Sequence, residues 1–176
     1  PVFALSFLIF APLIKIGSKG PAIYRQRRTG KFKKPFTMLK YRSMYQDAEV
    51  HGKAVWAVKD DPRITRVGAL LRKTRLDELP QLINILRGDM SFIGPRPERP
   101  EFVEELAAEI PHYNLRHLVR PGLSGWAQIN YEYTSSIEET AVKLSYDIYY
   151  VKNRSFIFDL KIMLRTVFVV LERRGQ

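Results

Sequence analysis

Apolar positions recur at helical spacing along much of this chain and alternate with polar ones near its start. Leu79, Leu82, Ile83 and Leu86 fall on one side of a helix, which predicts a core-facing surface there. Pro80 is tolerated only in the first turn, where its missing N–H costs nothing. That places Asp77 and Glu78 at or just before the helix N-terminus, with Gly88 ending the helix. Ile137, Ala141, Leu144, Ile148 and Val151 recur at steps of four and three and predict an amphipathic helix. From Phe156 to Leu171 only Asp159, Lys161 and Arg165 interrupt the apolar run with charge. A buried core helix and a helix lying in a membrane interface both fit it. Shorter helices are predicted over 64–72, 100–108 and 111–117. Ala22 to Arg27 and Pro35 to Arg42 alternate, with Thr29-Gly30 between them, which predicts a β-hairpin. Pro95, Pro97 and Pro100 force a stiff, extended crossing after Gly94. Leu118 to Asn130 reads as a turn-rich loop with one large aromatic, and Gln46 to Asp61 as polar and irregular.

The opening stretch is of another kind. Val2 to Ile14 is apolar apart from Ser6 and a break at Pro12. A spanning helix needs about 20 apolar residues, so this run is too short to cross a bilayer alone. The tail of a truncated spanning helix, an interfacial or re-entrant segment and a buried soluble helix all remain. Charge then separates them. The first 46 residues hold ten of the 29 basic residues and no acid, leaving 19 bases against 18 acids in the rest. Basic residues directly after an apolar run favour a membrane segment with the following domain on the cytoplasmic side. The chain opens at Pro1 without a methionine, so a fragment of a longer protein is expected.

The net charge of +11 calls for an anionic partner: nucleic acid, anionic lipid or a phosphorylated ligand. With no cysteine there is neither a disulfide framework nor thiolate chemistry, and the 176 residues suffice for one domain. The three histidines, His51, His112 and His117, have no zinc-site spacing, and no nucleophile elbow, P-loop or dinucleotide fingerprint occurs. Adjacent carboxylates at a helix start remain. The helix dipole favours their ionised forms and can also receive a phosphate. An ionised aspartate beside a phosphate site is a nucleophile, and a plain helix cap is the alternative. Asp89 sits in a turn, where aspartate bonds its own backbone. Arg96 and Arg99 lie in the proline-rich crossing, and arginine suits bidentate phosphate binding. Hard oxygen ligands beside phosphates suit Mg²⁺.

The runs GPAIYRQRRTG, KPFTMLKYRSM, DPRITRVGALLRKTRLDELPQ, RLDELPQLINILRGDMSFIGPRP and RPGLSGWAQIN cover nearly the whole chain. In this order they resemble the bacterial sugar transferase family, the monotopic phosphoglycosyl transferases. The resemblance implies an α+β fold: a mostly helical, membrane-associated single domain with a small N-terminal β-hairpin and a re-entrant membrane helix. Pro1 resembles the bending proline of that helix, so residues 1–19 would be its second half and 20–176 the cytoplasmic catalytic domain. The family usually has a second glycine near Lys33, which this chain lacks.

The implied activity is transfer of a sugar-1-phosphate from a UDP-sugar to undecaprenyl (polyprenyl) phosphate, with release of UMP. It is the first membrane step of exopolysaccharide or other glycan assembly, on the cytoplasmic face of the bacterial inner membrane. Asp77 matches the family's nucleophile, which forms an aspartyl phospho-sugar. Glu78 matches its partner acid, assigned to Mg²⁺. Arg96 and Arg120 are candidates for phosphate or nucleotide contacts, with Lys40, Arg28, Gly94 and Pro95 beside them. The lipid bilayer is a partner; nucleic acid is not expected, and a homo-oligomer is left open. Two rivals stand: a nucleic-acid module using Tyr24, Phe32, Phe36 and Tyr41, and an inactive membrane-anchored scaffold.

Overall fold

A computed structural model describes residues 2–46, 48, 61–131 and 136–171. Helix α1 (Val2–Gly17) opens the chain and runs on through Pro12, which breaks nothing. It packs on Tyr41 through Phe3 and Phe10, and the Ser6 and Tyr41 hydroxyls lie 2.8 Å apart. The remaining sides of α1 leave Leu5, Leu8, Ile9, Leu13 and Ile16 exposed. The proposed bend at Pro1 lies outside the described residues. No helix among the described residues is long and apolar enough to cross a membrane.

Strands β1 (Ile23–Thr29) and β2 (Pro35–Tyr41) form the expected antiparallel hairpin, in register from Ile23 against Tyr41 to Thr29 against Pro35. Its turn carries left-handed backbone at Phe32 and Lys33, where the family's glycine is missing. Opposite residues share a face. The hairpin's basic positions therefore divide: Arg28 and Lys40 lie on one face with Gln26 and Met38, and Arg25 on the other with Leu39 and Tyr41. Arg42, just past the hairpin, is buried and donates to the Ser18 and Lys19 carbonyls, closing the C-terminus of α1.

Helix α2 (Arg66–Lys73) starts at Thr65, whose hydroxyl accepts from the Gly68 N–H at 2.9 Å. Gly68 touches the Ser43 backbone so closely that a Cβ there would have no room. Most of the irregular stretch predicted over 46–61 lies outside the described residues. After a 3-10 turn at Leu76–Glu78 comes α3 (Gln81–Arg87), ended by left-handed Gly88.

Here the expected orientation holds only in part: Leu79 packs against the core of Ala11, Ile14, Tyr41 and Leu71, but the most buried side of the helix is polar. Asn84 and Gln81 are the buried side of α3, while Leu86 is 87 % exposed and Leu82 and Ile83 are half-buried. The reason is the open edge of β2. Asn84 Oδ1 accepts from the Leu39 N–H at 3.0 Å, and its Nδ2 donates to the Thr37 carbonyl at 2.8 Å. Buried backbone groups need partners, so a polar side of the helix faces inward. Asp89 accepts from the same Asn84 amide at 3.1 Å, which is a side-chain partner as well as a turn position.

Strand β3 (Ser91–Ile93) pairs in parallel with β4 (Gly122–Ser124), inside the stretch expected to be a turn-rich loop. Three-residue strands leave no usable periodicity. What they require is room: a Cβ on Gly94 would meet the Arg120 carbonyl and lie 2.9 Å from the Gly122 nitrogen. Short α5 (Trp126–Asn130) follows, also unforeseen. Helix α4 (Pro100–Glu109) matches its prediction, while the helix expected over 111–117 is a 3-10 segment at Tyr113–Leu118.

Helices α6 (Ile137–Asn153) and α7 (Phe156–Leu171) complete the chain. Ser136 caps α6 by accepting from the Glu139 N–H at 3.2 Å. Val103, Leu106, Ile110, Tyr113 and Leu144 form a core between α4, the 3-10 segment and α6. Ile93, Val119, Tyr150 and Ile162 form another beneath α7. Only one side of α7 enters it. Phe156, Ile157, Leu160, Met163, Leu164, Val167 and Phe168 stay exposed at helical spacing, so α7 is not a buried core helix.

Candidate active site

Three segments converge on the carboxylate pair: the end of β2 with Lys40, the 3-10 turn with Asp77 and Glu78, and the extended crossing with Arg96. Left-handed Arg75 (φ 58°) precedes the turn and Pro80 follows it. Both acids therefore sit ahead of α3, and neither caps it. They are nonetheless buried, at 7 % and 6 % exposure.

The two are held very differently. Glu78 Oε1 accepts from Lys40 Nζ at 2.9 Å and from Arg96 Nη2 at 2.7 Å. Asp77 has no hydrogen bond or ion pair among the described residues. Burial works to raise the Glu78 carboxyl, but Arg96 and Lys40 together hold it well below the usual carboxylate range. Burial pushes the Asp77 carboxyl up; Lys40 pulls it back, Glu78 adds to the rise, and Arg96 and Arg72 oppose it. Arg96 and Lys40 are thus what keeps Glu78 charged, whereas at Asp77 burial outweighs the same cations and disfavours the ionised form that the helix start was expected to secure. Burial draws the Lys40 ammonium below the ordinary lysine range against the pull of Glu78. The Arg96 guanidinium is raised by Glu78.

Arg72 and Arg75 add positive charge that sequence reading did not single out. Arg72 Nε donates to Ser43 Oγ at 2.9 Å, and its charge reaches Asp77. Burial lowers the Arg75 guanidinium, and Arg96 adds to that; Glu78 and Asp77 oppose it. Four cations around two carboxylates leave a positive surplus, which suits a polyphosphate ligand. Their signal was proximity in sequence: both arginines lie within six residues of the pair.

The other predicted residues are placed as follows. Arg28 contacts the Arg96 segment rather than the carboxylates: Nη1 donates to the Pro97 carbonyl at 2.9 Å and lies 3.4 Å from Glu98 Oε2, while Nε and Nη2 donate to Gln26. Gly94 and Pro95 are buried beside β4; the Gly94 N–H donates to the Ser124 carbonyl and the Gly122 N–H to the Pro95 carbonyl. Arg120 is exposed, with Nη2 near Gly88 at the end of α3, and it makes no described contact with Asp77 or Glu78.

No group of three acidic or histidine side chains among the described residues is placed to hold a metal. Mg²⁺, however, characteristically keeps several waters and takes one or two carboxylates together with substrate phosphates. The Glu78 oxygen not engaged by Lys40 and Arg96 fits that limited demand.

The fold thus carries a buried acid pair flanked by cations, with Glu78 bound by two of them and Asp77 bound by none of the described residues. The chain belongs to the bacterial sugar transferase family, whose sequence profile matches residues 1–173. It is 47 % identical over 175 residues to the UDP-N-acetylgalactosamine-undecaprenyl-phosphate N-acetylgalactosaminephosphotransferase of Aeromonas hydrophila, covering 99 % of this chain and 41 % of that protein. It is 44 % identical over 157 residues to the UDP-glucose:undecaprenyl-phosphate glucose-1-phosphate transferase of Escherichia coli (strain K12), covering 88 % and 34 %. The exopolysaccharide production protein PSS of Rhizobium leguminosarum bv. phaseoli is 43 % identical over 177 residues, covering 95 % and 86 %. This chain therefore spans less than half the length of the first two relatives.

Proposed function

We propose that this chain is the catalytic part of an undecaprenyl-phosphate sugar-1-phosphate transferase that works through Asp77. The observation that carries the reading is the contrast within the pair: Glu78 is bound by two cations while Asp77 is bound by none of the described residues. A carboxylate with uncommitted lone pairs beside surplus positive charge is suited to attack phosphorus.

In this reading the diphosphate of a UDP-sugar lies among Lys40, Arg72, Arg75 and Arg96. An Asp77 carboxylate oxygen attacks the β-phosphorus. The bond from that phosphorus to the bridging oxygen breaks, and UMP leaves with the electron pair. Asp77 then holds the sugar phosphate as an acyl phosphate. A phosphate oxygen of undecaprenyl phosphate attacks the same phosphorus and expels the Asp77 carboxylate, giving the lipid diphosphate sugar. Arg96 and Lys40 keep Glu78 ionised and hold it in place beside the reacting group. Mg²⁺, when bound, would supply charge neutralisation at the diphosphate, and Glu78 is the residue that would hold it. The exposed apolar sides of α1 and α7 support a lipid-facing protein, and the basic N-terminal region supports the cytoplasmic face of the bacterial plasma membrane as its location.

The test is intact-protein mass spectrometry after a rapid quench, with a UDP-sugar and no lipid acceptor. One sugar phosphate is added in the wild type and lost under base, and Asp77→Asn shows neither adduct nor UMP release. Turnover of Asp77→Asn near the wild-type rate would remove Asp77 from the chemistry.

A further inference from the structure

Arg96 reaches Glu78 from a segment that has no regular secondary structure of its own. Its backbone is held by two main-chain bonds, from the Gly122 N–H to the Pro95 carbonyl and from the Thr29 N–H to the Glu98 carbonyl, and between them by side chains from distant parts of the chain. Arg116 Nη2 donates to the Arg96 carbonyl at 2.8 Å, and the same nitrogen lies 2.8 Å from Asp147 Oδ2 on α6. Arg116 Nη1 donates to the Tyr113 hydroxyl at 2.8 Å. Next along the segment, Arg28 holds the Pro97 carbonyl, and the Glu98 carboxylate lies 3.4 Å from both Arg28 and Lys143.

Arg116 and Asp147 are 4 % and 2 % exposed. A buried ion pair carries a large desolvation cost and is often no more stabilising than apolar residues of the same volume. Stability is therefore a weak reason for this pair. What it does locally is fix one carbonyl: that of the residue whose side chain touches Glu78. The tolerance at the other end is small, because the Arg96–Glu78 contact is 2.7 Å long. A displacement of about 1 Å in a supporting residue is enough to cost a site about 100-fold in rate.

The geometry points to Arg116 and Asp147 as positioning residues: Asp147 orients Arg116, and Arg116 sets Arg96 against Glu78. Through them α6 controls the geometry of the acid pair without touching it. The inference rests on the reading of Asp77 and Glu78 as the reaction centre.

The test is a double-mutant cycle in the full-length protein, read as sugar-phosphate transfer to undecaprenyl phosphate. Arg116→Met lowers kcat about 100-fold with KM for the sugar nucleotide changed less than about threefold, and Arg96→Lys is also slow. If Arg116 acts through Arg96, the double variant is no slower than the slower single one, because the contact that Arg116 positions is already lost. Losses that multiply overturn the proposal. Asp147→Asn keeps the size and an acceptor oxygen but removes the charge, so it gives a smaller loss in kcat and the same non-additivity with Arg96→Lys. That second cycle decides the matter if Arg116→Met does not fold. Asp77→Asn is measured alongside. If it is inactive while the cycles are multiplicative, only the positioning role falls. If it stays active while the cycles are non-additive, only the reading of Asp77 falls.

Discussion

Neighbouring carboxylates of nearly equal intrinsic acidity are driven apart by what surrounds them. Glu78 shares one oxygen between two cations, and Asp77 is buried with no hydrogen-bond partner for its carboxylate among the described residues. Pairs separated in this way commonly divide the work of a site. The sign of one consequence follows directly. The Lys40 charge lowers the Asp77 pKa against burial, so its removal raises that pKa. The proposed reaction uses the Asp77 carboxylate, so in Lys40→Met the acid limb of the rate is expected to move to higher pH. The neutral-pH rate also falls about 100-fold, as when one transition-state donor is removed. A pH–rate profile of the two proteins checks this, and an unmoved acid limb would uncouple Lys40 from Asp77. Much of this was visible in the chain: an acid pair before a proline, and arginine within Gly-Pro-Arg-Pro. Arg116 and Asp147 were not, because their effect passes through a backbone carbonyl and leaves no local pattern.

At the scale of elements, α3 shows why periodicity misled. The stripe Leu79, Leu82, Ile83, Leu86 is real as spacing, but spacing does not say what lies opposite. Opposite is the unpaired edge of β2, and a polar edge selects Asn84 over leucine. Asn84→Leu leaves the buried Leu39 N–H without a partner, at about 1–3 kcal/mol, and frees the carbonyl of exposed Thr37 to water. We expect the urea-unfolding midpoint to fall accordingly, although leucine is the more apolar residue; an unchanged midpoint would mean that water or other groups replace the amide. The hairpin and the long helices α6 and α7 were legible because each repeats its pattern over many residues. The β3–β4 pair was not: it is three residues long on each side and depends on the close approach of Gly94 and Gly122, a tertiary fact.

For the whole molecule, the distribution of exposed apolar surface matters more than the total charge. Side chains on α1 and α7 present ordered apolar faces that the rest of the domain leaves uncovered. Such faces mark partner or membrane surfaces. With Leu164→Asp and Phe168→Asp together, binding to vesicles containing anionic lipid is expected to fall at least about 100-fold, each buried apolar side chain contributing about 1.5–3 kcal/mol. Both positions are exposed, so the melting temperature stays as it was. Vesicle flotation reads the result, and unchanged flotation would leave the α7 face without a lipid role.

The span of the Arg96 support also has a bearing on biosynthesis. Lys40, Glu78, Arg96, Arg116 and Asp147 meet only when chain from β2 to α6 is present together. A ribosome adding about 5–20 residues per second makes Asp77 and Glu78 several seconds before it makes Asp147. During that interval the nascent acid pair has its Lys40 partner but lacks the α6 anchor that fixes Arg96. On the proposed roles, competence arrives late in translation, and a chain stalled before α6 emerges carries the acid pair without the frame that holds Arg96 against it.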